Sequence, residues 1–133
     1  MAKAGDTFTI ILKPPHLEWG TLRYTGSRGI QYGEGYIPIP ASDAYRIGIF
    51  NSKQTNGNDV LGSNLFICKS VDGYYSGILK AQGNQSNDVY AKNFSGNDDL
   101  KAIGSWYSKI NANVDDRIKV TWISPTEITI EKI

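Results

Sequence analysis

The amino-acid sequence predicts a mainly β domain with two short helices, built as a small or half-open barrel whose ends the helices plug. Three observations carry this. About six to eight short segments alternate apolar and polar residues. Turn-forming residues separate them. Only two segments have helical spacing, and these fall between strands rather than after each one, which is not a βαβ repeat. At 133 residues the chain is expected to be one domain, residues 1–133, long enough to bury a core without disulfides.

Thr7–Lys13 alternates with Phe8, Ile10 and Leu12 on one face, and Pro14-Pro15 ends it. After a long loop, Tyr36–Ile39 reads as a short strand. Pro40 suits a helix start, Ala41–Ile47 supplies about two turns, and Gly48 closes them. Ile49-Phe50 is a further short strand. Residues 51–64 form a polar loop with Asn56-Gly57 as a tight turn. Leu65–Ser70, a turn at Asp72-Gly73 and Tyr74–Gln82 make a hairpin. Gly83–Asp88 is a flexible polar loop, followed by a strand over Val89–Phe94.

Asn97–Ile110 has the strongest helical pattern, with Leu100, Ile103, Trp106 or Tyr107, and Ile110 at spacings of three and four. Asn97 is the expected N-cap, with Asp98 and Asp99 in the first turn. Arg117–Ile123, with Ile118, Val120 and Trp122 inward, and Glu127–Ile133 complete the strands.

Composition excludes several function classes. Net charge is +1, which is no footprint for a non-specific nucleic-acid binder, although Lys13, Arg23 and Arg28 face a single acid, Glu18, over residues 13–32. One cysteine, Cys68, rules out an internal disulfide and leads us to expect a reducing compartment, the cytoplasm. With one histidine, His16, beside it, no His/Cys zinc site is expected. No apolar run is long enough to span a membrane, and no signal peptide is expected from the opening residues.

Catalytic equipment is sparse. His16 reads as a solvated or hydrogen-bonded loop histidine, and Cys68 sits in the apolar pattern Leu65-Phe66-Ile67-Cys68, where burial is expected. Gly29, Gly33 and Gly35 lack the Gly-Lys-Ser/Thr end of a phosphate loop. Asp88 and Asp99-Leu100-Lys101 only loosely imitate a nuclease carboxylate set, and Asp99 is explained by helix capping. We therefore expect a binding module rather than an enzyme, with no cofactor or metal.

Two loops stand out as contact surfaces, Gly20–Glu34 and about Lys69–Asn87. Arg side chains can pair with guanine edges, and Asn or Gln with adenine edges; Lys, Ser and Tyr can hold phosphates. The same polar aromatic loops also suit a carbohydrate or small ligand, because Tyr and Trp faces stack on sugar rings.

Leu17-Glu18-Trp19-Gly20, the basic glycine-rich run after it, and Glu34-Gly35-Tyr36-Ile37-Pro38-Ile39-Pro40 resemble the B-three-like DNA-recognition domain of bacterial restriction endonucleases. The similarity continues through Ala81-Gln82-Gly83-Asn84-Gln85, Ala91-Lys92-Asn93-Phe94-Ser95-Gly96 and the helix at Leu100–Ile110. Val114-Asp115-Asp116 departs from the Gly-Asp turn common in that family.

The resemblance implies a seven-stranded open pseudobarrel whose two arms grip the major groove of double-stranded DNA. The first arm maps onto Gly20–Glu34 and the second onto Lys69–Asn87. Trp19 and Tyr36–Pro40 would be scaffold at the ends of the first arm. The expected base contacts are Arg23, Arg28, Gln31, Gln82, Asn84 and Gln85. The expected backbone contacts are Ser27, Lys69, Tyr75 and Lys80. A nuclease domain or subunit would be a separate partner.

Overall fold

In the computed structural model, which describes residues 2–17, 34–83 and 89–133, alternation of side chains sets the strands. β1 (Thr7–Ile11) turns Phe8 and Ile10 inward and Thr9 and Ile11 outward. β3 (Leu65–Ser70) buries Phe66 and Cys68, and β4 (Ser76–Gln82) buries Leu79 and Ala81. β6 (Arg117–Ser124) buries Ile118, Val120 and Trp122, and β7 (Glu127–Lys132) buries Ile128 and Ile130. Two shorter strands, β2 (Ile37–Pro38) and β5 (Asn93–Gly96), complete the set.

These seven strands form one sheet in the order β1-β6-β7-β3-β4-β5-β2. Neighbours are antiparallel except β3 and β7, which run parallel. The sheet curls into a nearly closed barrel, the pseudobarrel expected from the sequence. Inside it, Phe66 meets both Phe94 and Trp122 edge-on, each at 5.7 Å between ring centres. This is the preferred geometry for aromatic quadrupoles. Phe8 of the edge strand β1 lies 6.4 Å from Phe94 of β5, so the core joins strands from distant positions in the sheet order.

Between the two edge strands lies α2 (Ala41–Ile47), which directly follows β2. Its Arg46 donates from Nη2 to the carbonyl of Thr7 on β1 at 3.0 Å and pairs with Asp43 at 2.7 Å. An edge-strand carbonyl is thereby engaged by a charged side chain, a device that blunts strand-to-strand aggregation. Gly48 ends the helix in the left-handed region (φ 85°), as expected of a glycine after the last turn.

Four sequence expectations shift. Pro14–Leu17 forms one helical turn, α1, rather than simply ending β1. The strand expected at Val89–Phe94 begins only at Asn93. Residues 89–91 bond instead to 49–51, with Asn51 N–H donating to the Val89 carbonyl at 2.8 Å and Ala91 N–H to that of Ile49 at 3.0 Å. Ile49-Phe50 likewise contributes one bridge, Phe50 to Tyr90, and no strand.

The last helix, α3, spans Ala102–Lys109 and not Asn97–Ile110. Asp98 adopts a positive φ of 61°, and Asp99 bridges back to Gly96. A Cβ at Gly96 would collide with the Asp99 carbonyl and the Ala102 methyl, so the tight turn requires glycine there and displaces the expected cap.

Candidate functional site

The bases of the two expected arms lie beside β5 and β2. On either side of residues 18–33, Tyr36 N–H donates to the His16 carbonyl at 3.0 Å. Gly35 sits in the closure. A Cβ there would lie 3.0 Å from the His16 oxygen and 3.1 Å from Cα of Gly104 on α3, so a side chain would require these backbone atoms to give by a few tenths of an ångström. The buried Tyr107 hydroxyl donates to the Tyr36 carbonyl at 2.8 Å, tying the same point to α3. Ile37 and Ile39 are buried, which anchors the chain that follows residues 18–33 in the core.

His16 braces this base. Its ring meets Tyr36 edge-on at 5.2 Å, and its Nδ1 accepts the Lys13 N–H at 2.9 Å. Burial, and then the nearby Lys13 charge, hold the imidazole below its ordinary pKa, so the neutral, accepting form is favoured. Burial also raises the Tyr36 hydroxyl, and burial and then Tyr36 raise that of Tyr107 well above the usual value. These phenols are donors throughout the physiological range.

On either side of residues 84–88, Lys92 N–H donates to the Gln82 carbonyl at 2.7 Å. A Cβ at Gly83 would stand 2.9 Å from Lys92 N. The strands that follow these two stretches of sequence, β2 and β5, pair with each other antiparallel: Ile37 faces Phe94, and Pro38 faces Asn93.

Of the residues expected to touch DNA, Arg23, Ser27, Arg28, Gln31, Asn84 and Gln85 lie outside the described residues, as does Trp19. The other four are on β3, β4 or the turn between them. Residues 65–70 and 76–82 form a paired hairpin, so up to Gln82 the stretch mapped as the second arm departs from the strands only in the turn at 71–75. Lys69 is exposed on the outer face of β3, opposite Ser76. Lys80 pairs with Asp59 at 3.3 Å.

Tyr75 is half-buried against the core, with its hydroxyl over Gly77. Burial first, then the Cys68 and Asp99 charges, push it to about 12. Gln82 already donates from Nε2 to the buried Ser95 Oγ at 2.8 Å. Asp99 turns its Oδ1 onto the Lys101 N–H at 3.0 Å. Cys68 is buried, and burial drives its thiol pKa far up. No cluster of three His, Cys, Asp or Glu side chains occurs among the described residues. No helix among them is long and apolar enough to cross a membrane.

An open groove of about 800 Å³ runs between Tyr74-Tyr75 and α3, away from the arm bases apart from Gly104. Asp72 beside it accepts the Trp106 indole N–H at 3.0 Å and the Tyr74 N–H at 2.9 Å. Burial works to raise this carboxyl, but hydrogen bonds from Ser70, Tyr74 and Trp106 outweigh it and hold the pKa below the ordinary value.

Sequence reasoning passed over a second surface. Phe50, Tyr90 and Tyr45 stand in a row, with successive ring centres 5.4 Å apart. Tyr45, at the open end of the row, is 72% exposed. The available signal is a tyrosine at an outward position of a helix, between Ala44, which is fully buried, and Arg46.

No family model matches the chain, and no curated protein matches it. Among solved structures, the N-terminal domain of Helicobacter pylori LlaJI.R1 is similar in fold, with a TM-score of 0.55 at 12% identity. The match covers 96% of this chain and 86% of that one. At that identity the likeness is one of architecture: the mainly β pseudobarrel with a few short helices.

Proposed function

We propose that this chain is a sequence-specific double-stranded DNA-binding module with no catalytic activity of its own, the targeting part of a restriction endonuclease or related DNA-modifying system. The carrying observation is the junction at β5 and β2. Residues 18–33 and 84–88, rich in Arg, Gln and Asn, are each flanked by a backbone hydrogen bond, and the strands that follow them pair with each other. Its fold-level likeness to a domain of LlaJI.R1, a restriction-system protein, supports the same reading. The barrel would hold the two arms at a fixed separation. Arg23, Arg28, Gln31, Asn84 and Gln85 would read base edges, and a separate domain or subunit would cut.

Selection from a random duplex library at moderate salt, without metal, tests this. We expect one short motif to be enriched. Arg28→Ala should then cost about 1–3 kcal/mol and relax preference at one position of that motif. A folded protein that enriches nothing, or whose affinity stays flat as salt rises, would show that duplex DNA is not its ligand.

A further inference from the structure

Two kinds of interaction hold α3 on the barrel, and they fix different things. Ile103, Trp106 and Tyr107 are buried, which keeps the helix against the core. Burial is non-directional, so it constrains rotation about the helix axis and sliding along it only weakly. Hydrogen bonds constrain both, because they need a set distance and angle. Among the described residues, two α3 side chains bond to residues outside the helix, and they are neighbours in sequence, Trp106 and Tyr107.

Trp106 reaches one way. Its indole N–H donates to the Asp72 carboxylate, 3.0 Å from Oδ2 and 3.2 Å from Oδ1. Asp72 is itself fixed in the turn between β3 and β4, where its Oδ1 accepts from the Ser70 hydroxyl at 2.5 Å and the Tyr74 N–H at 2.9 Å. That turn is tied to β7, because Val71 N–H donates to the Ile130 carbonyl at 2.9 Å. Tyr107 reaches the other way, from its hydroxyl to the Tyr36 carbonyl at 2.8 Å. The strand that follows Tyr36, β2, pairs at only two residues. The sheet therefore does little to position Tyr36, and α3 gives it a directed hydrogen bond.

We propose that α3 is a strut, and that Asp72 is a positioning residue for the Tyr36–His16 closure. Through Trp106 and Tyr107, the position of the β3–β7 side of the barrel is passed to the chain flanking residues 18–33. The strut itself needs no DNA. Its consequence for recognition rests on the DNA-binding reading above: Asp72 sets how firmly the base of the first arm is held and does so only through the helix.

Hydrogen exchange of single backbone N–H groups, followed by NMR on the whole chain, tests the strut without a ligand. Asp72→Ala removes the acceptor of the indole and should speed exchange at the Tyr36 N–H severalfold. Asp72→Asn keeps an oxygen acceptor and should stay near wild type. Tyr107→Phe removes only the hydroxyl and should speed the same exchange; adding Asp72→Ala to it should then change nothing further at Tyr36. The reference is the Trp122 N–H, which donates to the Asp6 carbonyl at 2.8 Å. The increase at Tyr36 should exceed any increase there.

Unchanged exchange at Tyr36 in Asp72→Ala, or equal increases at Tyr36 and Trp122, would refute the strut, the second because Asp72 would then add only to overall stability. With the duplex enriched by selection, Asp72→Ala should bind severalfold more weakly and Asp72→Asn as wild type. Both variants lose the charge, so an equal change in the two would be electrostatic and would remove the strut from recognition. If the wild type binds no duplex, the DNA-binding reading fails, while the exchange rates still decide the strut.

Discussion

Between β6 and β7 the ladder runs over six residue pairs; between β5 and β2 it runs over two. The long-ladder side holds its shape by repetition, with backbone hydrogen bonds outside and a row of buried Ile, Val and Trp side chains inside. The short-ladder side relies on single close contacts: the Tyr36–His16 closure, Gly35 against Gly104, and Lys92 N–H on the Gln82 carbonyl. The lesson is a division of labour. One half is held by long ladders, and the half with little pairing between β5 and β2 is held by glycine contacts and isolated hydrogen bonds on either side of residues 18–33 and 84–88.

Three perturbations would break or sharpen this contrast. The largest effect is expected at Trp122, fully buried on β6 against Phe8, Phe66 and Phe94. Trp122→Ala should cost about 3–5 kcal/mol in urea unfolding and lower the stability of the whole barrel cooperatively. Loss of only one half, seen as two separate transitions, would show that the halves are independent units.

A smaller effect is expected at Gln82. Removing its amide leaves the buried Ser95 hydroxyl without its donor, so Gln82→Ala should destabilise by about 1–3 kcal/mol. Repeating the DNA selection with this variant decides the role of the residue. An unchanged motif would make Gln82 a brace of the arm base, whereas a relaxed position would make it a base reader.

The smallest effect is a pH dependence from His16. Its folded-state pKa is depressed, so its contribution is complete above the unfolded value of about 6.5 and declines as pH falls through the lower folded value. Wild-type stability should therefore fall as pH drops below about 6.5. His16→Asn retains an acceptor for the Lys13 N–H but cannot titrate, and should flatten that part of the profile. An identical profile in wild type and variant would remove His16 from the account of the arm base.

The long-ladder half was far more legible in the sequence than the short one. Strands at 65–70, 117–124 and 127–132 alternate strictly because one face is buried and the other is wet, and that pattern is local. The faults lie where a non-local partner decided the outcome. Val89–Ala91 has the composition of a strand but bonds to 49–51, forty residues back in the chain, so the ladder with β4 starts later. Asn97-Asp98-Asp99 offers good capping chemistry, yet the close approach at Gly96 recruits it into a turn.

The same limit applies to the site. Glycines 35 and 83 marked the arm bases only as flexible points. Their real constraint, backbone against backbone from α3 and from Lys92, is invisible until the chain is folded. Tyr45 was passed over because an outward helical tyrosine is unremarkable until Tyr90 and Phe50 are found behind it.

The pairing of β1 with β6 has a consequence for how the molecule forms. The hydroxyl of Thr7 donates to the carbonyl of Val120, 113 residues later. On a ribosome β1 has no ladder partner until β6 has been made, and until then its apolar face and its edge are both open. Folding is expected to be slow, because a loop of that length must close before its contacts reward it. The Arg46 contact to the Thr7 carbonyl needs far less chain. It gives the waiting strand an earlier partner, and a charged one that a second nascent copy cannot easily replace.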